Sequence, residues 1–194
     1  MLDTKARRFV QPALDAIAGA CLRMGVGANA LTVAGMLVGL AAAAMVAAGH
    51  PVAGFAVLWL SGLIDAADGT LARLTSATPL GAIHDITFDR VVELSVIAAL
   101  AWLHPDARFE MVILAGVIAV AMSLFLSIGA ALRNTSAKSF HYAPGLGERT
   151  EAFICLSLMI LDQERLVLWT WVFVGVIVFT MGQRLVHVRR ALGE

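Results

Sequence analysis

The stretch Leu63-Ile64-Asp65-Ala66-Ala67-Asp68-Gly69-Thr70-Leu71-Ala72-Arg73, followed after seven residues by Gly81-Ala82-Ile83-His84-Asp85-Ile86-Thr87-Phe88-Asp89-Arg90, sets four carboxylates into otherwise apolar sequence. Asp65 and Asp68 are three apart and Asp85 and Asp89 four apart, so each pair occupies one face of a helix. The short connection from Leu74 to Leu80 makes the two helices antiparallel and brings both pairs to one level. The spacing therefore predicts four carboxylates converging near one point. Two like charges about 4 Å apart repel by about 4 kcal/mol at an effective dielectric of about 20, and Arg73 and Arg90 cannot balance four negatives. Such acids are protonated in part, paired with arginines, strung along a proton or ion relay, or gathered around divalent cations. In the last case an all-oxygen donor set favours magnesium, manganese or calcium over zinc. Gly69 and Ala72 leave space beside the backbone, either for a ligand or for a packed helix.

The flanks of this stretch set the fold class. Of 194 residues, 60% are apolar and 14% charged, against about 45–50% and about 25% in soluble proteins. That excludes a water-soluble globule, a disordered chain and a secreted disulfide scaffold. Apolar spans are expected over Ala30–Gly49, Val52–Arg73, Gly81–Leu103, Phe109–Leu132, Gly147–Leu161 and Leu166–Val186, with Gly49-His50-Pro51 and Pro105-Asp106 as punctuation. The fifth is the least apolar, because Glu148, Arg149 and Glu151 lie within it. Six spans of roughly 20 residues leave no room for a separate soluble domain. The expected architecture is a single all-α integral membrane domain over residues 1–194. It comprises a juxtamembrane amphipathic helix over 1–28, a six-helix bundle over 29–186 and a cytoplasmic tail over 187–194.

Charge placement orients the bundle. With six spans both termini share one side, which holds Lys5, Arg7, Arg8, Arg23, Arg73, Arg90, Arg133, Lys138, Arg149, Arg184, Arg189 and Arg190, against Arg108 and Arg165 opposite. The positive-inside rule makes the richer side cytoplasmic, in a bacterium the cytoplasmic face of the inner membrane. Phe9, Val10, Ala13, Leu14, Ile17 and Cys21 recur at helical spacing, as expected of an amphipathic helix at the interface, bent at Pro12 and serving as an anchor or as a lid. No small-residue cleavage site follows the start, so no removable signal peptide is read. Formal net charge is zero and names no nucleic-acid partner, while Cys21 and Cys155 read as free buried thiols. Gly35 and Gly39 form a GxxxG that lets a neighbouring helix approach.

Together, Asp65, Asp68, Gly69, Ala72, Arg73, Gly81, Asp85 and Asp89 resemble the signature of the CDP-alcohol phosphatidyltransferase family, D-x-x-D-G-x-x-A-R, a spacer, then G-x-x-x-D-x-x-x-D. The spacer here has seven residues where the family usually has eight. Asn29-Ala30-Leu31-Thr32 resembles the N-x-L-T that opens the family's first span, and Gly147-Glu148-Arg149-Thr150-Glu151 resembles more loosely the charged cluster before its fifth. The resemblance implies transfer of a phosphatidyl group from a CDP-linked lipid, usually CDP-diacylglycerol, to the hydroxyl of a small polar alcohol, with release of CMP. It implies Asp65, Asp68, Asp85 and Asp89 as ligands of a two-ion magnesium or manganese site, with Asp89 also the general base. Gly69, Ala72 and Arg73 become the CDP contacts. Members of the family tend to form homodimers, which no residue pattern here establishes.

Arg133, Lys138 and Arg149 cluster around the fourth connection. They either hold an anionic acceptor such as glycerol 3-phosphate or an inositol phosphate, or meet anionic lipid headgroups. Glu93 continues the Asp85–Asp89 face one turn deeper, as partner of an arginine or as a contact to the acceptor. The rival expectations are a small ion-coupled transporter that uses the acids as a cation path, and a catalytically inactive relative.

Overall fold

The computed structural model describes residues 2–75, 78–133 and 149–192, and omits the side chains of 2–10, 132, 133, 149 and 191. Described secondary structure is helical throughout: α1 (Leu2–Arg23), α2 (Ala28–Ala47), α3 (Pro51–Leu74), α4 (Pro79–Leu103), α5 (Arg108–Arg133), α6 (Arg149–Leu161) and α7 (Leu166–Leu192). Single 3₁₀ turns at Pro105–Ala107 and Gln163–Arg165 join α4 to α5 and α6 to α7. Four stretches, Ala28–Ala47, Pro51–Leu74, Pro105–Ala131 and Gln163–Arg190, are long and apolar enough to cross a bilayer. The other two expected spans do not meet that description. α4 is long, but it carries Asp85, Asp89, Arg90 and Glu93, while α6 has 13 residues among those described.

The helix ends follow local chemistry. α1 and α2 each stop at a glycine in the left-handed region, Gly25 (φ 71°) and Gly49 (φ 79°). Around Gly25 the Val26 N–H donates to the Cys21 carbonyl at 2.9 Å, and around Gly49 the His50 N–H donates to that of Met45 at 2.9 Å. Both are Schellman closures, which need a residue without a Cβ at that position. α4 starts two residues earlier than the sequence suggests, because Thr78 caps it by accepting from Gly81 N–H at 3.0 Å and Pro79 occupies the first turn. α7 runs on to Leu192, so Arg189 and Arg190 are helical and the expected tail is largely absorbed.

α2 packs closely on both α3 and α4, α6 docks on α3, and α5 pairs with α7. In lipid, helices gain little from leaving water, so close backbone approach and dense packing decide association. The glycines mark these contacts. A Cβ on Gly39 would collide with Val92 of α4 and stand 2.9 Å from Ser61 Oγ of α3, and one on Gly62 would stand 2.7 Å from Phe153 of α6. The Ser61 hydroxyl donates to the Gly35 carbonyl at 2.8 Å. The GxxxG of α2 therefore serves packing, with α3 and α4 on its two flanks. Leu58, Val96, Leu100, Leu114, Leu156, Met159 and Phe173 fill the centre.

Part of the apolar side of α1 packs against the bundle, while Ala13 is exposed. Leu14, Ala18 and Cys21 are buried, and Ala18 and Cys21 close over Leu71 of α3, so α1 backs the end of α3 that carries the aspartates. At the other end of the bundle His104 and Gln163 are 2.7 Å apart, tying the two 3₁₀ turns together and grouping Arg108 with Arg165. Cys21 and Cys155 are buried free thiols.

Candidate active site

α3 and α4 bring Asp65, Asp68 and Asp85 together, with one carboxylate oxygen of each lying within 4.8 Å of the others. Asp89 is not one of these three. Four residues advance a helix by about 6 Å, so Asp89 lies one turn further along α4 than Asp85. Asp89 lines the space beneath, shared with Asp65 on one side and Asp85 on the other.

Three ionised carboxylates at this separation repel by about 3 kcal/mol per pair at an effective dielectric of about 20. Asp68 is 4% exposed. The Thr32 hydroxyl lies within hydrogen-bonding reach of it, yet its Oδ2 is buried with no hydrogen-bond partner among the described residues. A buried carboxylate oxygen is normally satisfied by a donor or a cation. Asp65, Asp68 and Asp85 are thus suited to a divalent metal ion, and the oxygen donors are those of magnesium or manganese rather than zinc.

Arg73 is exposed at the end of α3, and its Nη2 donates to Thr70 Oγ1 at 2.9 Å. Gly69 differs from the packing glycines, because among the described residues a Cβ there would meet within 4 Å only Arg73 Nη1, at 3.6 Å. Among the described residues no helix presses on that backbone, and Ala72 is half-buried one turn away. Arg133 and Arg149 belong to the ends of α5 and α6 with side chains outside the described residues, and Lys138 lies outside them altogether.

Beside the carboxylates, α4, α5, α6 and α7 enclose a cavity of about 290 Å³. Asp85, Asp89, Arg90 and Glu93 form one wall, and Thr180 and Arg184 of α7 stand in another. The Arg184 guanidinium lies 4.9 Å from the centre of the Phe125 ring, and Arg90 Nη1 lies 3.1 Å from Glu93 Oε2. A smaller cavity of about 20 Å³, touched by Thr32, Asp65, Asp89 and Glu93, continues inward.

Sequence inspection missed Arg184 and the role of Asn29 and Thr32. Phe173, Ile177, Thr180 and Arg184 recur at spacings of four, three and four, which puts Arg184 on the buried face of α7 and was the signal available. Asn29 Oδ1 lies 3.0 Å from where a Gly81 Cβ would stand, so Asn29 meets the start of α4 while Thr32, one turn on, meets Asp68. The motif glycine Gly81 permits that close approach.

Comparison with known proteins fits this geometry. The CDP-alcohol phosphatidyltransferase family profile matches residues 26–182. The archaetidylinositol phosphate synthase of Methanothermobacter thermautotrophicus is 31% identical over 193 residues, covering 96% of this chain and 91% of that protein. The phosphatidylinositol phosphate synthase of Mycobacteroides abscessus is 35% identical over 88 residues, covering 44% and 40% of the two chains. Among solved structures, the Mycobacterium tuberculosis phosphatidylinositol phosphate synthase with CDP-DAG bound superposes with a TM-score of 0.71 at 26% identity, covering 91% of this chain and 93% of that one. The same enzyme in complex with manganese and citrate gives 0.70 at 26% identity, covering 90% and 88%. These matches leave the transporter expectation without ground. From its aspartate signature, its helical fold and these relatives, the chain belongs to the CDP-alcohol phosphatidyltransferase family and is a transferase of phospholipid biosynthesis.

Proposed function

We propose that this enzyme transfers a phosphatidyl-type group from a CDP-linked lipid, CDP-diacylglycerol or its archaeal counterpart, to a hydroxyl of an inositol phosphate, releasing CMP. The observation that carries this is the three-carboxylate group of Asp65, Asp68 and Asp85, which opens onto a 290 Å³ cavity holding Arg90 and Arg184. An acid cluster suits a metal-bound pyrophosphate, and an adjoining basic wall suits an acceptor with its own phosphate. The relatives are named for inositol phosphate products, and the solved ones were obtained with CDP-DAG and with manganese.

Asp65, Asp68, Asp85 and Asp89 would hold two magnesium or manganese ions, which when bound neutralise the pyrophosphate of the CDP-lipid. Asp89 accepts the proton of the attacking hydroxyl. The acceptor oxygen then forms its bond to the lipid-linked phosphorus, the pyrophosphate P–O bond breaks, and CMP leaves. Gly69 and Ala72 let the nucleotide lie against α3, and Arg73 faces its phosphates. Arg184, with Arg133, Lys138 and Arg149 from the neighbouring connection, holds the acceptor phosphate.

The whole chain forms one membrane domain of six spans, α2 to α7, with α1 along the cytoplasmic interface and both termini in the cytoplasm. A site at that rim serves a substrate whose tails stay in the bilayer while its nucleotide stays in water. Accessibility reporters at both termini would be cytoplasmic, and those beside Asp106 and Glu164 would lie opposite. The test of function is a panel of alcohols offered to the purified protein with CDP-diacylglycerol and magnesium. CMP release with inositol 1-phosphate supports the proposal, and release only with unphosphorylated alcohols removes it.

A further inference from the structure

Glu93 is the one acid of the cavity wall that the transfer chemistry leaves without a task. It lies one turn beyond Asp89, about 6 Å further along α4, and is 5% exposed. Its Oε2 is 3.1 Å from Arg90 Nη1, yet among the described residues it accepts no hydrogen bond. The ion pair thus balances the charge and leaves an acceptor direction open. That arrangement is costly for a buried carboxylate unless a donor arrives with a ligand. The same side chain borders both the 290 Å³ cavity and the 20 Å³ one, and the Arg90 Nη1 that faces it also lies 3.6 Å from Met122 Sδ of α5.

We propose that Glu93 determines acceptor specificity: its Oε2 receives a hydroxyl of a cyclic polyol phosphate whose reacting hydroxyl, across the ring, is presented to Asp89. This rests on the transfer function proposed above. The two carboxylates are a full helical turn apart, so an acceptor must carry hydroxyls on opposite sides to meet both. A ring polyol does so, and its phosphate can still reach Arg184 on the α7 wall. A short acceptor such as glycerol 3-phosphate has its second hydroxyl next to the reacting one and leaves Glu93 unserved. A site built around a substrate hydroxyl rejects analogues that cannot supply it, because the buried group is then left unpaired.

The test measures CMP release by the purified full-length protein from CDP-diacylglycerol and magnesium, with inositol 1-phosphate and glycerol 3-phosphate as alternative acceptors. In Glu93→Gln the ratio of kcat/KM for the two acceptors falls about tenfold or more, through KM for the ring polyol, while KM for CDP-diacylglycerol is unchanged. Glu93→Asp keeps the charge opposite Arg90 but withdraws the oxygen by one methylene. It carries the test if Glu93→Gln does not survive purification, and its ratio falls as well. A ratio unchanged in Glu93→Asp, or an equal loss toward both acceptors and the CDP-lipid, means that Glu93 only balances Arg90 and overturns the proposal. A wild-type enzyme that prefers glycerol 3-phosphate overturns it while leaving phosphatidyl transfer standing. One that releases CMP with no acceptor at all defeats the transfer function itself.

Discussion

Trp59 on α3 donates its indole N–H to the Ser157 hydroxyl on α6 across 2.9 Å, and its ring meets Phe153 edge-on at 6.0 Å. The short helix α6 is seated against the helix that carries Asp65 and Asp68 through this pair and the close approach at Gly62. Trp59→Phe keeps an aromatic ring but removes the donor, which costs about 1 kcal/mol. The thermal midpoint in detergent should fall by a few degrees with catalysis at 25 °C retained. A midpoint equal to wild type would show that the hydrogen bond carries no stability.

Two glycines of similar appearance in the sequence should respond oppositely. Gly39→Ala drives a methyl into Val92 and should destabilise the protein by about 1–3 kcal/mol. Gly69→Ala meets, among the described residues, only the flexible tip of Arg73 at 3.6 Å, so the melting temperature should stay near that of wild type while KM for the CDP-lipid rises. Thermal unfolding and steady-state kinetics on both variants separate packing from nucleotide contact.

Asp68→Asn removes one of three clustered negatives. Without a divalent ion the repulsion among the three carboxylates is uncompensated, so the variant should be at least as heat-stable as wild type in the presence of a chelator. Added magnesium or manganese should raise the wild-type midpoint and leave that of Asp68→Asn almost unmoved, with activity lost. Stabilisation of both proteins by the same amount would place the ion elsewhere.

Arg184→Ala should raise KM for a phosphorylated acceptor about tenfold to hundredfold through the loss of a charged hydrogen bond, with KM for the CDP-lipid unchanged. Substitution of Lys138 and Arg149 should act in the same direction. Equal effects on both substrates would assign these residues to membrane or folding roles.

Much of this was legible from spacing alone. The pairing of Asp65 with Asp68 and the approach of Asp85 follow from helical periodicity and a short connection, both local properties. The place of Asp89 beside the other three is less legible, because shared face and shared depth are different things, and depth depends on how α4 crosses α3. Arg184 was hidden because an arginine on the more basic side has a ready explanation in membrane orientation, and only its phase with Phe173, Ile177 and Thr180 marks it as inward-facing. Thr32 was visible only as part of a resemblance, since nothing local to α2 says that its hydroxyl meets an acid on another helix. The stripe on α1 looked like a lipid-facing anchor because amphipathicity does not name what covers the apolar side, and here part of the cover is Leu71 of α3.

The central claim is that the carboxylates of α3 and α4 hold a divalent cation through which the CDP-lipid is used. Its most direct test is CMP release from CDP-diacylglycerol and inositol 1-phosphate by protein stripped with a chelator and then resupplied with magnesium or manganese. The account predicts no CMP from stripped protein, full recovery on adding either ion, and no recovery in Asp68→Asn. CMP release that persists after stripping, or that returns equally in Asp68→Asn, would contradict it.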